Sequence, residues 1–245
     1  MRTGRKKCES DVYHVVVRGV GKQILFEDDA DRRFFLDTLS DQRAGYGVQL
    51  YAWCLMSNHV HLLLRAPLED ISAMMRALET RYAGFFNTRH ARTGTLFQGR
   101  FTSVPVESDE QLLQAVRYIH HNLAGAGEPI DSPWSSFRDY VGKRGSIDVD
   151  TAFVMELFGG KPSFLRLHDS EDRSYAQHLP RHRVTDTQAL SIAKDVLGKV
   201  GPHGLKAIDK ASRDELLVRL KEAGLSVRQI SRITSIGENI IQRAK

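Results

Sequence analysis

His59 and His61 stand two residues apart within the stretch LYAWCLMSNHVHLLLR at 50–65. From Asn58 onward the residues alternate as a strand does. His59, His61 and Leu63 share one face, and Val60, Leu62 and Leu64 share the other. Two neutral imidazoles side by side on a sheet face can hold a divalent metal, given further ligands from elsewhere in the fold. The plainer alternative is a pair of half-exposed strand histidines. A second polar group lies downstream. The helix expected over 107–122 carries Leu112, Val116, Ile119 and Leu123 as its core stripe, with Gln114, Tyr118 and Asn122 at i, i+4 and i+8 beside it. Tyr118 and Asn122 are therefore one turn apart. A helix laid across an uncovered sheet face would present both to the histidine pair. The alternative is a half-buried tyrosine with its hydroxyl hydrogen-bonded and an ordinary asparagine near a helix end.

Several elements must position these groups. YHVVVR at 13–18 is β-branched and alternates, so it reads as a strand ending at Gly19 and Gly21. The acid-led stretch 28–39 has Phe34, Phe35 and Leu39 at helical spacing. A strand over 48–56 and the connection Ser57-Asn58 lead into the histidine strand as a hairpin. Then follow a helix over 69–88, a basic loop over 89–100, a strand over 101–106 and the Tyr118 helix. The fold class is α+β. The order β-α-β-β-α-β is the ferredoxin-like one, an antiparallel sheet with helices on one face, plus one extra helix.

Past this unit, PWSSFRDY at 133–140 reads as an aromatic turn that closes a first domain over 1–145. Residues 146–185 read as a linker with a short helix inside it. Residues 186–245 read as a small all-α domain of helix-turn-helix pattern. In it, Ser226 with Gln229 and Ser235 with Glu238 form two capping-box signals. Arg228, Arg232, Arg243 and Lys245 supply basic groups on the exposed sides. A helical packing or dimerisation module is the alternative for this domain.

Composition bounds the function classes. The chain has 245 residues, 41% of them hydrophobic, which supports a sizeable core and argues against general disorder. A net charge of +5 permits a polyanionic partner. Two cysteines, Cys8 and Cys54, give neither a disulfide framework nor a cysteine-based zinc site. No apolar run approaches the roughly 20 residues of a membrane span, and no signal-peptide core is seen, so a cytoplasmic location is expected.

At this point the chain resembles a known family, the REP-associated tyrosine transposases of the single-tyrosine HUH superfamily. The resemblance is carried by YHVVVRG at 13–19, FEDDADRRFFLDTL at 26–39, AWCLMSNHVHLLL at 52–64, RYAGFFNTR at 81–89, GTLFQGRF at 94–101, RYIHHN at 117–122 and PWSSFRDY at 133–140. It implies that His59 and His61 hold Mg²⁺ or Mn²⁺, that Tyr118 is the nucleophile and that Asn122 is a third metal ligand, with His121 its local competitor. It also implies a 5′-phosphotyrosine intermediate on single-stranded DNA beside hairpins of REP type, near the nucleoid. Arg18, Arg65, Arg81, Arg89, Arg92 and Arg100 are then candidates for phosphate contacts, with Trp134 or Phe97 for base stacking. Arg228, Arg232 and Arg243 would serve the C-terminal domain. The family's proline after the asparagine is Leu123 here, which predicts an altered helix end. The resemblance admits a monomer or a homodimer. The alternative function is a non-catalytic, domesticated protein that binds DNA hairpins or regulates nearby genes; a hydrolase using water is a third.

Overall fold

The computed structural model describes residues 5–143, 145–170, 174–178 and 186–244. The chain divides into two units, 1–179 and 180–245. The first contains β1 (Val12–Arg18), α1 (Asp29–Gly45), β2 (Gln49–Leu55), β3 (His59–Arg65), α2 (Leu68–Arg89), β4 (Thr102–Pro105) and α3 (Asp109–Gly125). Its four strands form one antiparallel sheet in the order β2-β3-β1-β4, the ferredoxin-like order. The period of two along each strand separates two cores. Tyr13, Val15, Val17, Leu62 and Leu64 pack under α1 and α2, against Phe35, Leu39, Met74 and Tyr82. The opposite face takes α3. There Val12, Cys54 and Leu63 meet Leu112, Val116, Ile119 and Leu123.

Side-chain caps start α1 and α3. The Asp28 carboxylate accepts from the Ala30 and Asp31 N–H groups at 2.9 and 3.1 Å and so caps α1. Ser108 Oγ accepts from Gln111 N–H at 3.2 Å and caps α3. Gly19, where β1 ends, cannot carry a side chain, because a Cβ there would lie 2.2 Å from Gln23 O. Past Asn122, α3 continues to Gly125, and Leu123 is buried, so leucine extends the helix where proline would have ended it.

The stretch read as a linker differs from that reading. After the short α4 (Phe137–Tyr140), α5 (Thr151–Phe158) and α6 (Lys161–Asp169) pack into the first unit, as does the 3-10 turn Ser174–His178. Val154, Phe158, Phe164 and Tyr175 join the core built on α3. The unit therefore runs past residue 145. Gly159 and Gly160, at φ of +68° and +98°, divide the segment into two helices too short to show a period. The remainder of that stretch, 171–173 and 179–185, lies outside the described residues, as do 1–4, 144 and Lys245. Residues 133–150 also seal the edge strand β2. Leu55 N–H donates to Trp134 O at 2.9 Å, Ser136 N–H to Trp53 O at 3.0 Å, and Leu50 N–H to the Asp150 carboxylate at 2.8 Å.

The second unit comprises α7 (Asp186–Leu197), α8 (Gly201–Gly204), α9 (Lys210–Glu222), α10 (Val227–Thr234) and α11 (Glu238–Arg243). Its core gathers Leu217, Leu220, Leu225, Ile230, Ile236 and Ile241. The Ser226–Gln229 capping box is formed. The second expected box is not. Ser235 ends α10 in the left-handed region at φ +54°, and Gly237 is the N-cap of α11. A side chain in that region costs about 1–2 kcal/mol. Ser235→Gly is therefore expected to raise the stability of this unit by about 1 kcal/mol. Urea unfolding followed by circular dichroism measures it.

Candidate active site

His59 and His61 lie on the face covered by α3. His61 stands opposite Val16 of β1 and Cys54 of β2, and His59 stands opposite Arg18. His59 is half-buried, and its Nδ1 donates to Asn58 Oδ1 at 2.7 Å. His61 is only 1% exposed, unlike the half-exposed residue of the plainer alternative. Burial, then the charges of His14, His59 and Arg18, push its pKa well below the usual histidine value, so the ring is neutral at pH 7. A third imidazole, His14 of β1, is fully buried beside it, with Nε2 2.8 Å from His61 Nδ1. His14 pairs with Leu63, so the two histidines are diagonal neighbours across the strands. The alternation of YHVVVR puts His14 on the face of Val12 and Val16. Only the strand register brings it to His61, so the sequence pattern did not single it out.

α3 carries Tyr118 over this pair. Its ring meets His61 edge-on at 5.8 Å between centroids and His14 at 5.9 Å. Burial raises the Tyr118 pKa; the Arg18 charge and the Asn122 side chain pull it down. Asn122 Nδ2 donates to Tyr118 O at 2.8 Å. His121 is committed elsewhere, because its Nε2 donates to His168 O on α6 at 2.8 Å. Tyr118, Asn122, His121, Met56, Arg117 and Ser170 line a cavity of about 1040 Å³. The site thus has an open side along the C-terminal half of α3.

His59 and His61 offer two imidazoles to a divalent ion. His61 Nε2 is buried without a hydrogen-bond partner among the described residues, as an atom reserved for another group would be. No cluster of three or more His, Cys, Asp or Glu among the described residues could hold a metal ion. Any ion on His59 and His61 would need amide, phosphate or water oxygens to complete its shell.

The basic candidates separate. Arg18 is at the site: its side chain is exposed, and its charge acts on Tyr118, His14 and His61. The others are placed differently. Arg89 pairs with Asp28 at 2.6 Å and with the buried Asp31, tying the end of α2 to the start of α1. Arg81 pairs with Asp41 at 3.2 Å. Arg65 donates to Tyr51 Oη at 3.2 Å and lies over Phe153. Arg92 donates to Gln23 Oε1 at 2.5 Å, and Arg100 is exposed before β4. Trp134 is half-buried with Arg32 over its ring at 5.2 Å. Phe97 belongs to the core under α1 and α2. Arg228, Arg232 and Arg243 are exposed on the second unit.

The site is thus a His-hydrophobic-His strand of a ferredoxin-like sheet lying under a tyrosine-bearing helix. Residues 8–122 match the family model described as Transposase IS200 like. The match ends at Asn122 and so includes His59, His61 and Tyr118. Among solved structures, the chain is similar to a REP-associated tyrosine transposase bound to a REP hairpin. Identity is 17%, over 62% of this chain and 92% of that one, with a TM-score of 0.49. It is also similar to a Deinococcus radiodurans R1 chain that carries a transposase designation. There identity is 26%, over 49% and 97% of the two chains, with a TM-score of 0.34. No curated protein matches the chain.

A buried hydrogen-bond chain fixes α3 in place. His168 Nδ1 lies 2.9 Å from Phe164 O, and a carbonyl only accepts, so Nδ1 carries the hydrogen. Burial lowers the His168 pKa to about 3, so the ring is neutral and its Nε2 accepts from His120 Nδ1–H at 2.9 Å. His120 Nε2 then accepts from Ser136 Oγ–H at 2.9 Å, and Ser136 Oγ accepts from Trp53 N–H at 2.9 Å. The chain links α6, α3, the loop before α4 and β2. Arg117 adds a clamp, donating to Leu167 O at 2.8 Å and to Ser170 O at the end of α6. A histidine buried neutral has a folded pKa below its unfolded value. Its stability contribution is full above the unfolded value of 6.5 and is lost as pH falls from there towards about 3. His168→Gln is therefore expected to flatten the fall of unfolding free energy between pH 6 and pH 4 by about 1.4 kcal/mol per pH unit. Urea titrations across that range measure the slope.

Proposed function

We propose that the first unit cleaves and rejoins single-stranded DNA through a phosphotyrosine on Tyr118. The observation that supports this best is the packing of the Tyr118 ring against His61 and His14 on the face that also holds Arg18. His59, His61 and the Asn122 side-chain oxygen would hold Mg²⁺ or Mn²⁺. Held there, such an ion would supply positive charge to the scissile phosphate. Arg18 is the residue suited to a second contact with that phosphate, being exposed and adjacent.

The protein's own groups do the rest. A buried phenol is protonated at neutral pH, and the Arg18 charge eases its ionisation. Tyr118 Oη bonds to phosphorus as the bond from phosphorus to the 3′ oxygen breaks. The proton lost by the phenol is matched by the one gained at the 3′ oxygen. The ester energy is kept in the phosphotyrosine, so attack by a 3′-hydroxyl can reverse the step without a nucleotide cofactor.

The motif resemblance supports DNA with REP-type hairpins as substrate, met in the cytoplasm. The second unit fits an accessory DNA contact. α10 and α11 are joined by three residues, and Arg228, Arg232 and Arg243 are exposed there. Among the described residues, no helix is long and apolar enough to cross a membrane. The non-catalytic alternative would keep DNA binding and lose the adduct.

A labelled single strand with a hairpin from beside the gene, incubated with Mn²⁺ and run on a denaturing gel, tests this reading. The expected result is a covalent protein–DNA band that needs metal and disappears in Tyr118→Phe, while that variant still binds the strand on a native gel. Cleavage retained by Tyr118→Phe would mean a water nucleophile. Binding without any adduct would favour the non-catalytic reading.

A further inference from the structure

His14 has no chemical role in the scheme above, yet its Nε2 lies 2.8 Å from His61 Nδ1. It occupies an interior strand position where an apolar residue is the default, and it is 0% exposed. Burying an imidazole costs free energy unless its nitrogens are satisfied. Only one of the four ring nitrogens' possible pairings is made, that between His14 Nε2 and His61 Nδ1 at 2.8 Å. His14 Nδ1 and His61 Nε2 have no hydrogen-bond partner among the described residues. Full burial, without an acidic partner among the described residues, keeps both rings neutral, so each carries one N–H.

One hydrogen lies between the rings, and it has two placements. If His14 Nε2–H donates, His61 must carry no hydrogen on Nδ1 and one on Nε2. That Nε2–H then excludes a cation, and both orphaned atoms stay unsatisfied. If His61 Nδ1–H donates, His61 Nε2 is a lone pair, and a cation on it removes one of the two orphans. Ligating histidines commonly hold their second N–H on a fixed acceptor for this reason. We propose that His14 is a positioning residue whose Nε2 accepts from His61 Nδ1–H, fixing His61 in the tautomer that offers Nε2 to a divalent cation. This rests on the metal-site reading of His59 and His61. It also assigns a neutral acceptor where a carboxylate is the more usual partner, so the histidine pair carries no compensating negative charge of its own.

The test uses the full chain. Long-range ¹H–¹⁵N spectra of the metal-free protein report the His61 tautomer, and calorimetric titration with Mn²⁺ reports affinity. Wild type is expected to show His61 with its hydrogen on Nδ1. His14→Phe keeps a ring but removes the acceptor, and is expected to weaken Mn²⁺ binding by about 10–100-fold. His14→Gln restores an acceptor oxygen and is expected to recover most of the loss. A hydrogen on His61 Nε2 in the metal-free wild type would overturn the proposal. So would Mn²⁺ affinity in folded His14→Phe equal to wild type, and in that case the metal-site reading would survive. No Mn²⁺ binding by wild type would remove the metal-site reading and this proposal together. The wild-type tautomer needs no variant, so a substitution that fails to fold leaves the question decidable.

Discussion

The seating of α3 on the open face of the sheet is the interaction on which the rest of this structure depends. Leu112, Val116, Ile119 and Leu123 are each 3% exposed or less, and each such burial is worth roughly 1.5–3 kcal/mol. With that stripe fixed against β2 and β3, the helical period leaves no freedom for its neighbours. Tyr118 must lie beside His61, and Asn122 one turn further along. Hydrophobic packing thus sets the geometry of the polar chemistry.

Packing alone does not fix a helix's slide and rotation, and the polar contacts on its far side supply that precision. The chain from Phe164 through His168, His120 and Ser136 to Trp53 joins α3 to both its neighbours. His168, His120 and Ser136 each have one hydrogen to give and one to accept, so the arrangement has a single consistent set of tautomers. Its cost is sensitivity to acid, since a buried imidazole cannot be charged without losing its solvation. The same dependence on neutral imidazoles holds on the near side, where burial keeps His14 and His61 uncharged and leaves Arg18 as the local positive charge that lowers the Tyr118 pKa.

Much of this was legible in the sequence. Period-two alternation in 13–18 and 58–65 and period-3.6 stripes in 69–88 and 107–122 are long enough to give element type and order. Those elements then admit few topologies, and the ferredoxin-like one is found. The stripe of Tyr118 and Asn122 was legible for the same reason. His14 was not, because its role depends on a pairing across 47 positions that no local pattern encodes. Residues 146–170 were misread as a linker because two glycines cut their helices to eight and nine residues. Arg89 shows the limit of reading charge from composition: its basic loop suggested phosphate, and its guanidinium is spent on Asp28 and Asp31. Ser235, read as an N-cap, instead holds the left-handed end of α10, a backbone state that the capping pattern does not encode.

The central claim is that His59, His61 and the α3 side chains form one metal-bearing site. The most direct measurement is an anomalous difference map from a crystal of the full chain soaked in Mn²⁺. The account predicts one strong peak about 2.1–2.2 Å from His61 Nε2, shared with His59 and within reach of the Asn122 oxygen. A peak at His120, His121 and His168 instead, or none at the strand pair at saturating Mn²⁺, would contradict it.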